Sequence, residues 1–244
     1  MAKALFITGT GTDVGKTFVT GLILKKLKES GRSAAYYKAA MSGNDRRPDH
    51  SLIPGDALYV RNVSGITQPE KTMCPYVYET AVSPHLASRL EGNPVRMETV
   101  ISGFKDLCSR YEYITMEGSG GILCPVCFDE EPVWLEDIIR RLALPSLIVA
   151  DAGLGTISNT VLTAEYMRAK KLPVKGIIFN HFHPGNVMEE DNRNMCEYRT
   201  GLKVLACVQD GSTDLAINPE ILASLYDPTD ETAKILSGAG SRKD

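Results

Sequence analysis

Short apolar runs alternate along this chain with longer stretches in which apolar residues recur at helical spacing. The first run covers residues 5–8 and is followed by a predicted helix over residues 15–30, which Gly31 ends. Further strands are predicted at 34–38, 113–116, 146–150, 174–179 and 204–208. This alternation predicts an α/β fold, with a parallel sheet covered by helices on both faces. We expect a single domain over residues 1–244, with a short flexible tail at about 237–244.

The turn after the first strand is rich in glycine. Residues 9–17 read Gly-Thr-Gly-Thr-Asp-Val-Gly-Lys-Thr, between a predicted strand and a predicted helix. This context is what a phosphate-binding P-loop requires, because successive backbone N–H groups and the helix dipole can surround phosphate oxygens. The strict pattern has glycine where this chain has Thr10, so the loop is a variant. Its expected nucleotide-binding residues are Gly11, Thr12, Asp13, Val14, Gly15, Lys16 and Thr17.

Within this loop, two side chains have predicted roles in binding a nucleoside triphosphate. Lys16 is expected to reach the β- and γ-phosphates, and the Thr17 hydroxyl to ligate Mg²⁺. The sequence therefore predicts a nucleoside triphosphate and Mg²⁺ as the cofactors of a P-loop NTPase-like enzyme.

Three charged residues at other predicted element ends could complete this site. Lys38 ends the second strand, Asp56 lies at a helix start after a long polar loop, and Glu117 follows the strand at 113–116. Ligands in parallel sheets bind at the carboxyl ends of strands, and Mg²⁺ prefers a few carboxylates together with phosphates and water. Asp56 and Glu117 are thus candidate magnesium ligands beside Thr17. Two simpler alternatives remain, a solvated charge for Lys38 and a helix cap for Asp56.

Composition narrows the possible partners. A net charge of -3 gives no basic stripe for a nucleic acid, and the longest apolar run, 142–150, is interrupted by Pro145. We therefore expect a cytoplasmic protein that binds small molecules and neither nucleic acid nor membrane. The six cysteines are expected to be reduced thiols.

Two weaker patterns could bind metal. Cys124 and Cys127 have zinc-ligand or redox spacing, but no second cysteine pair follows at finger spacing. His181 and His183 could form half of a metal site, although a loop pair near the nucleotide base fits their position after a strand better.

Together these motifs resemble the dethiobiotin synthetase family. The resemblance runs in order over most of the chain, through residues 8–17, Tyr37-Lys38-x-x-x-Ser42-Gly43, Asp56-Ala57, Ser83-Pro84-His85, 117–121, 153–157 and Asn180. It implies that 7,8-diaminononanoate takes up CO2 (supplied from bicarbonate) as a carbamate. ATP would then phosphorylate the carbamate, and the second amine would close a cyclic urea.

The resemblance also implies residue roles. Lys16 and Lys38 would stabilise carbamate and phosphoryl oxygens, Thr12 and Ser42 would orient the substrate, and Asn180 would read adenine. It further implies a homodimer, in which a helix start of one subunit receives the carboxylate of substrate bound mainly to the other. The residues of this helix start are Gly155, Thr156, Ile157 and Ser158.

The chain departs from the family pattern at three places. Gly11 replaces the usual aspartate. Ser158-Asn159 replaces Asn-His, where the serine is still expected to cap the helix and bind an anion through backbone N–H groups. The segment 207–210 lacks the usual Ile-Pro on the adenine side, which leaves the base preference open.

Two other functions compete with this interpretation. One is a cobyrinate-type ATP-dependent amidoligase, although no glutaminase domain is evident after Val208. The other is a MinD- or ParA-like switch ATPase, whose extra lysine early in the loop is replaced by Gly11 here.

Overall fold

Ten strands and eight α-helices form the protein in a computed structural model that describes residues 2–129 and 131–228. The strands are β1 (Lys3–Gly9), β2 (Ala34–Lys38), β3 (Ala40–Met41), β4 (Tyr76–Val77), β5 (Tyr113–Glu117), β6 (Pro125–Cys127), β7 (Val133–Trp134), β8 (Ser146–Asp151), β9 (Val174–Asn180) and β10 (Val204–Cys207). The helices are α1 (Lys16–Glu29), α2 (Gly55–Ser64), α3 (Pro84–Leu90), α4 (Met97–Cys108), α5 (Leu135–Leu142), α6 (Thr156–Ala169), α7 (Val187–Thr200) and α8 (Pro219–Ser224). The tail predicted at 237–244 lies outside the described residues.

Six of these strands form a parallel sheet in the order β10-β9-β8-β1-β5-β2. The remaining strands form two small pairs, β3 with β4 and β6 with β7. The predicted parallel sheet is therefore confirmed, and each of its strands overlaps a predicted apolar run. From β1 the chain runs to the edge strand β2 and then back to β5, which lies between them. The next strand of the sheet, β8, lies on the other side of β1, so the strand order reverses beside β1. Ligands bind at such switch points in open α/β sheets.

Both faces of the sheet are covered by helices, as predicted. Along β1, Leu5 and Ile7 belong to one apolar cluster, which also contains buried residues of α1, α2 and α8, whereas Phe6 belongs to a second cluster with residues of α4, α5 and α6. Successive strand residues point to opposite faces, so a strand buried on both sides is a continuous apolar run.

The boundaries of α1 follow from two glycines. Gly15 precedes the helix with φ 85°, and Gly31 follows it with φ 79°. Glycine adopts this left-handed conformation without a Cβ clash. The predicted end of the helix at Gly31 is confirmed.

Candidate active site

The carboxyl ends of β1, β2 and β5 border a cavity of about 1010 Å³. Its walls bring together seven residues predicted from sequence to act in catalysis or metal binding. These are Thr12, Lys16, Thr17, Lys38, Ser42, Asp56 and Glu117. Residues that are far apart in the chain thus share one site, because parallel strands end at the same edge of the sheet.

The loop between β1 and α1 forms one wall of this cavity. Asp13 has φ 58° and Gly15 has φ 85°, so the chain turns sharply before the helix begins at Lys16. A Cβ at Gly15 would lie only 2.0 Å from Asn180 Nδ2. Glycine is therefore required here by both backbone conformation and packing, as expected for a loop that wraps around phosphate.

Lys16 lies on the cavity wall with only 7% of its surface exposed. Its Nζ donates to the Gly11 carbonyl at 2.8 Å. Burial, together with the neighbouring Lys38 ammonium, lowers the pKa of Lys16 from its ordinary value. A buried ammonium beside a second cation is stabilised by anionic ligands, which suits the phosphate-binding role.

Lys38 is the centre of an ion-pair network. Its Nζ lies 2.6 Å from Asp56 Oδ2 and 2.7 Å from Glu117 Oε1. Thr17 Oγ1 donates to the same Glu117 oxygen at 2.9 Å. The register of β2 and β5 brings Lys38 and Glu117 together, because these residues are direct cross-strand partners. Lys38 is therefore not the solvated charge that the sequence left open.

The charges in this network stabilise one another. Burial opposes ionisation of Lys38, but the carboxylates of Glu117 and Asp56 outweigh it and raise the pKa of Lys38 above its ordinary value. Burial likewise opposes ionisation of Asp56, and the attraction of Lys38 outweighs it and lowers the Asp56 pKa. The ammonium and the Asp56 carboxylate therefore both remain charged at neutral pH.

Asp56 is positioned by the start of α2. Pro54 occupies the N-cap position without a side-chain cap, so Asp56 is not the cap that the sequence left open. Asn44 holds this helix start, since its Oδ1 accepts from the Gly55 N–H at 3.0 Å and its Nδ2 donates to the Tyr78 carbonyl at 2.8 Å. The buried side-chain amide of Asn44, in the long polar loop, thus fixes the helix start that positions the Asp56 carboxylate.

The rest of the cavity wall is mixed in polarity. Ser42 Oγ donates to the Val82 carbonyl at 2.5 Å, and Thr12 lies on the opposite loop. Apolar and aromatic side chains extend the wall beyond the charged network, and these are Phe18, Met41, Tyr59, Ala81, Val82 and Pro84. A ligand with a charged end and an aliphatic chain fits this arrangement.

Two comparisons of sequence identify the family. A family model described as an AAA domain matches residues 3–213. An ATP-dependent dethiobiotin synthetase BioD of Brachyspira hyodysenteriae is 47% identical over 212 residues, which cover 86% of this chain and 94% of that protein. The protein of the same name from Clostridium botulinum strain Loch Maree is 43% identical over 227 residues, covering 93% and 99%. The chain belongs to the dethiobiotin synthetase family.

Solved structures agree on the fold. MinD of Aquifex aeolicus, from a complex of the cell division proteins MinC and MinD, superposes with a TM-score of 0.54 at 13% identity, covering 100% of this chain and 99% of that chain. A ParA family ATPase of Chlorobium tepidum superposes with a TM-score of 0.50 at 12% identity, covering 99% and 93%. At this identity the likeness shows a shared P-loop NTPase-like fold, and it says nothing about function. The MinD- or ParA-like alternative is not favoured over the dethiobiotin synthetase family.

Asn180, predicted to read adenine, lies behind the phosphate loop and away from the cavity wall. Its side chain is fully buried at the end of β9, and Nδ2 donates to the Val14 carbonyl at 3.3 Å. Among the described residues its Oδ1 has no hydrogen-bond partner. In this dethiobiotin synthetase family member, Asn180 supports the turn at Gly15, and its contact with a base stays a prediction.

The helix start predicted to receive a carboxylate is likewise separate from the cavity. Gly155 is the N-cap of α6 with φ 89° and no side-chain cap is present. The expectation that Ser158 caps this helix is therefore wrong, because the left-handed Gly155 occupies the cap and Ser158 is the third helical residue. Leu154, directly before it, is 93% exposed.

Two of the sequence departures from the dethiobiotin synthetase pattern have a visible structural context. A Cβ at Gly11 would meet nothing within 4 Å, so close packing does not require glycine at this position. Asp210, in the altered segment after β10, faces the histidine pair, with one oxygen 3.6 Å from His183 Nε2. Hydrogen bonding to Glu189, with a smaller effect of Asp210, raises the pKa of His183.

Within residues 2–129 and 131–228, no group of three or more His, Cys, Asp and Glu side chains is placed to hold a metal ion. Cys124 lies on the cavity wall, whereas Cys127 is buried. A magnesium site in this cavity would consist of Thr17, Asp56 and Glu117, completed by phosphate and water oxygens, which is the ligand set this hard cation prefers.

No helix in the described part of the chain is long and apolar enough to cross a membrane.

Sequence reasoning missed the residues that support the charged network from behind. Tyr36 is fully buried, and its hydroxyl donates to Glu117 Oε2 at 3.2 Å. Gln68, also buried, binds both backbone polar groups of Tyr36. The sequence signal for Tyr36 is a phenol two residues before Lys38, on the same face of the strand, and its partner depends on strand register.

Proposed function

We propose that this chain is a dethiobiotin synthetase, which uses ATP and Mg²⁺ to convert 7,8-diaminononanoate and CO2 to dethiobiotin, ADP and phosphate. The observation that carries the proposal is the buried Lys38 held between Asp56 and Glu117 in the same cavity as Lys16. Two cations beside a phosphate loop suit a reaction in which negative charge develops on both a carbamate and a phosphoryl group. The family relationship supports the same reaction.

The reaction has three bond-forming stages. One amine adds to CO2 and loses a proton to give a carbamate. A carbamate oxygen then attacks the γ-phosphorus of ATP, which forms a carbamic-phosphoric anhydride and releases ADP. Finally, the second amine attacks the carbamoyl carbon, the phosphate leaves, and loss of a proton gives the cyclic urea. Phosphorylation converts a poor leaving oxygen into phosphate.

The side chains of the cavity supply charge and position. We propose that Lys16, at the start of α1, binds the β- and γ-phosphates, and that Lys38 stabilises the carbamate and the transferring phosphoryl oxygens. Thr12 and Ser42 are the hydroxyls that orient the diamine, while the apolar wall around Met41 and Tyr59 accommodates its methylene chain. Holding both reactants in one cavity contributes by proximity.

Magnesium is the proposed resident cation of this site. When bound, it would offset the negative charge of the phosphate oxygens during phosphoryl transfer. Thr17, Asp56 and Glu117 supply hard oxygen donors at one place on the cavity wall, which supports its binding there.

Product analysis tests the function. The protein is incubated with the diamine, ¹³C-bicarbonate and ATP, and the product is identified by mass spectrometry. We expect a cyclic urea that carries one ¹³C atom. Parallel reactions with GTP and CTP determine the base preference. Recovery of the diamine without ring closure, or of a product without ¹³C, after complete hydrolysis of ATP would contradict the proposal.

Removing either proposed carboxylate ligand should raise the magnesium requirement. We expect Asp56→Ala and Glu117→Ala to increase the Mg²⁺ concentration for half-maximal phosphate release by about tenfold or more, because a lost charge-assisted contact costs roughly 1.5–3 kcal/mol. Glu79→Ala is the matched control, since this carboxylate pairs with Arg46 outside the cavity. Identical titrations for wild type and both ligand variants would eliminate the site.

We further propose a homodimer formed through α6 and α7. These helices and the loop before α6 carry large apolar side chains that are exposed in the single chain. They are Leu154 (93%) in the loop, Leu162 (66%) on α6, and Val187 (81%) and Tyr198 (81%) on α7. Large apolar side chains exposed on neighbouring helices are typical of a protein interface. The helix start at 155–158 borders it, and its partial positive charge suits a substrate carboxylate from the partner subunit.

Charges introduced on this surface should separate the subunits. We expect sedimentation of the wild type as a dimer, and of Leu162→Asp and Tyr198→Asp as monomers with reduced activity. Ile221→Asp on α8 changes an exposed apolar residue elsewhere and should remain dimeric. A wild-type monomer with full activity would overturn this arrangement.

A further inference from the structure

The edge strand β2 is held at Tyr36 by a side chain that substitutes for a neighbouring strand. The Tyr36 N–H donates to Gln68 Oε1 at 2.8 Å, and Gln68 Nε2 donates to the Tyr36 carbonyl at 2.9 Å. Gln68 is only 1% exposed. An edge strand otherwise presents free backbone groups that can shift or pair elsewhere. This amide clamp therefore fixes the backbone two residues before Lys38.

The Tyr36 side chain points from this clamp to the charged network. Residues 36 and 38 lie on the same face of β2, and Tyr36 pairs with Thr115 while Lys38 pairs with Glu117. Tyr36 is thus the diagonal neighbour of Glu117, a distance that an aromatic side chain can span. Its ring packs in the apolar cluster beneath α1 and α2, and its hydroxyl is the polar group that emerges toward the site.

The two oxygens of Glu117 have different partners. Oε1 accepts from Lys38 Nζ and Thr17 Oγ1, whereas Oε2 accepts from the Tyr36 hydroxyl at 3.2 Å. The Glu117 side chain is fully buried, so an oxygen without a partner there would be costly. Without the phenol, the carboxylate could rotate to use Oε2 toward the cations, since its terminal torsion is soft.

We infer that Tyr36 is a positioning residue, which holds the Glu117 carboxylate in the orientation that presents Oε1 to Lys38 and Thr17. Gln68 contributes by fixing the backbone from which the phenol extends. The inference rests on the proposed function for the role of Glu117 in magnesium binding and phosphoryl transfer. Tyr36 thus contacts Glu117 from behind the cavity wall and does not itself line the cavity.

Two adjacent tyrosines allow a matched test. Tyr36→Phe removes the hydroxyl that binds Glu117, and Tyr37→Phe removes an equally buried hydroxyl that donates to the Val100 carbonyl at 2.9 Å. Both variants keep their ring and lose one buried hydrogen bond. A purely structural role predicts similar effects for the two variants, whereas a positioning role predicts that they differ.

Four quantities are measured for each variant. These are thermal stability, the kcat and KM for the diamine, and the Mg²⁺ dependence of binding of a non-hydrolysable ATP analogue by calorimetry. For Tyr36→Phe we expect a fall in kcat of about tenfold with KM for the diamine nearly unchanged, and a similar rise in the Mg²⁺ needed for analogue binding. For Tyr37→Phe we expect kcat and the Mg²⁺ dependence of the wild type.

Equal effects of the two variants on kcat and Mg²⁺ dependence, or wild-type values for Tyr36→Phe, would overturn the inference. The calorimetric arm needs no turnover, so it separates this inference from the proposed function. Absence of a cyclic urea in the wild-type reaction contradicts the proposed function. An unchanged Mg²⁺ dependence of analogue binding in Tyr36→Phe contradicts the positioning role.

Discussion

Lys16→Ala is expected to lower phosphoryl transfer by about 10²- to 10³-fold or more, the usual loss when a group that stabilises developing charge is removed. The side chain meets the cavity at the start of α1, and its one hydrogen bond among the described residues is to the Gly11 carbonyl. Alanine is a strong helix former, so α1 should persist. The loss should therefore appear in catalysis and nucleotide binding while the fold is retained.

Phosphate release and nucleotide binding are measured for this variant, and circular dichroism monitors the fold. Lys25→Ala is the control, because this lysine lies on the same helix and donates to the Thr213 carbonyl at the surface. Its turnover should equal that of the wild type. Unchanged turnover in Lys16→Ala would refute the phosphate-loop assignment.

Lys38→Ala is expected to lower the rate of ring formation with phosphate release by a similar factor, about 10²- to 10³-fold. Unlike Lys16→Ala, it should also destabilise the fold. Its ammonium is the shared partner of Asp56 and Glu117, and removing one member of a buried ion pair typically costs about 3–5 kcal/mol. Asp56 is 41% exposed, so solvent screens its part of this cost. Most of the destabilisation should come from the buried Glu117 carboxylate.

The pH dependence of that destabilisation has a defined sign. Lys38 has a raised pKa, so its contribution is complete below the ordinary lysine pKa and is lost only as the pH rises through the higher folded-state value. Asp56 has a lowered pKa, so its contribution is present above the ordinary value and is lost as the pH falls through the folded-state value. Wild type and Lys38→Ala should therefore differ by a constant unfolding free energy from about pH 6 to 9 and converge in acid. Denaturant titrations at several pH values measure this difference, and a gap that widens in acid would contradict the assignment.

Local patterns were enough to predict the sheet and much of the site. The strands are apolar runs because they are buried on both faces, and the carboxyl ends of β1, β2 and β5 meet at one edge whatever the details of packing. Lys16, Lys38 and Glu117 could be placed together for this reason. For Asp56 a helix cap remained an alternative, because its position depends on the loop before α2, which is held by the buried amide of Asn44.

The support behind the site depends on register and tertiary packing, which local patterns do not reveal. The Tyr36 hydroxyl reaches Glu117 because β2 pairs with β5 in one register, and a shift of one residue would send it to the other face. Asn180 lies behind the loop because β9 ends beside it, where Gly15 leaves room for the amide. Ser158 was expected to cap α6, but the helix begins earlier because Gly155 adopts the left-handed conformation at the N-cap.

The coupling of phosphate release to ring formation tests the central claim most directly. An enzyme that phosphorylates a carbamate has no acceptor until both the diamine and CO2 are present, whereas a simple ATPase has no such requirement. Phosphate and cyclic urea are measured in the same reactions, with 7,8-diaminononanoate and bicarbonate added separately and together. We expect phosphate release only with both, in a ratio to cyclic urea of about one to one, as phosphoryl activation requires. Phosphate release at the same rate without the diamine, or without any ring product, would contradict the synthetase function while leaving the phosphate loop intact.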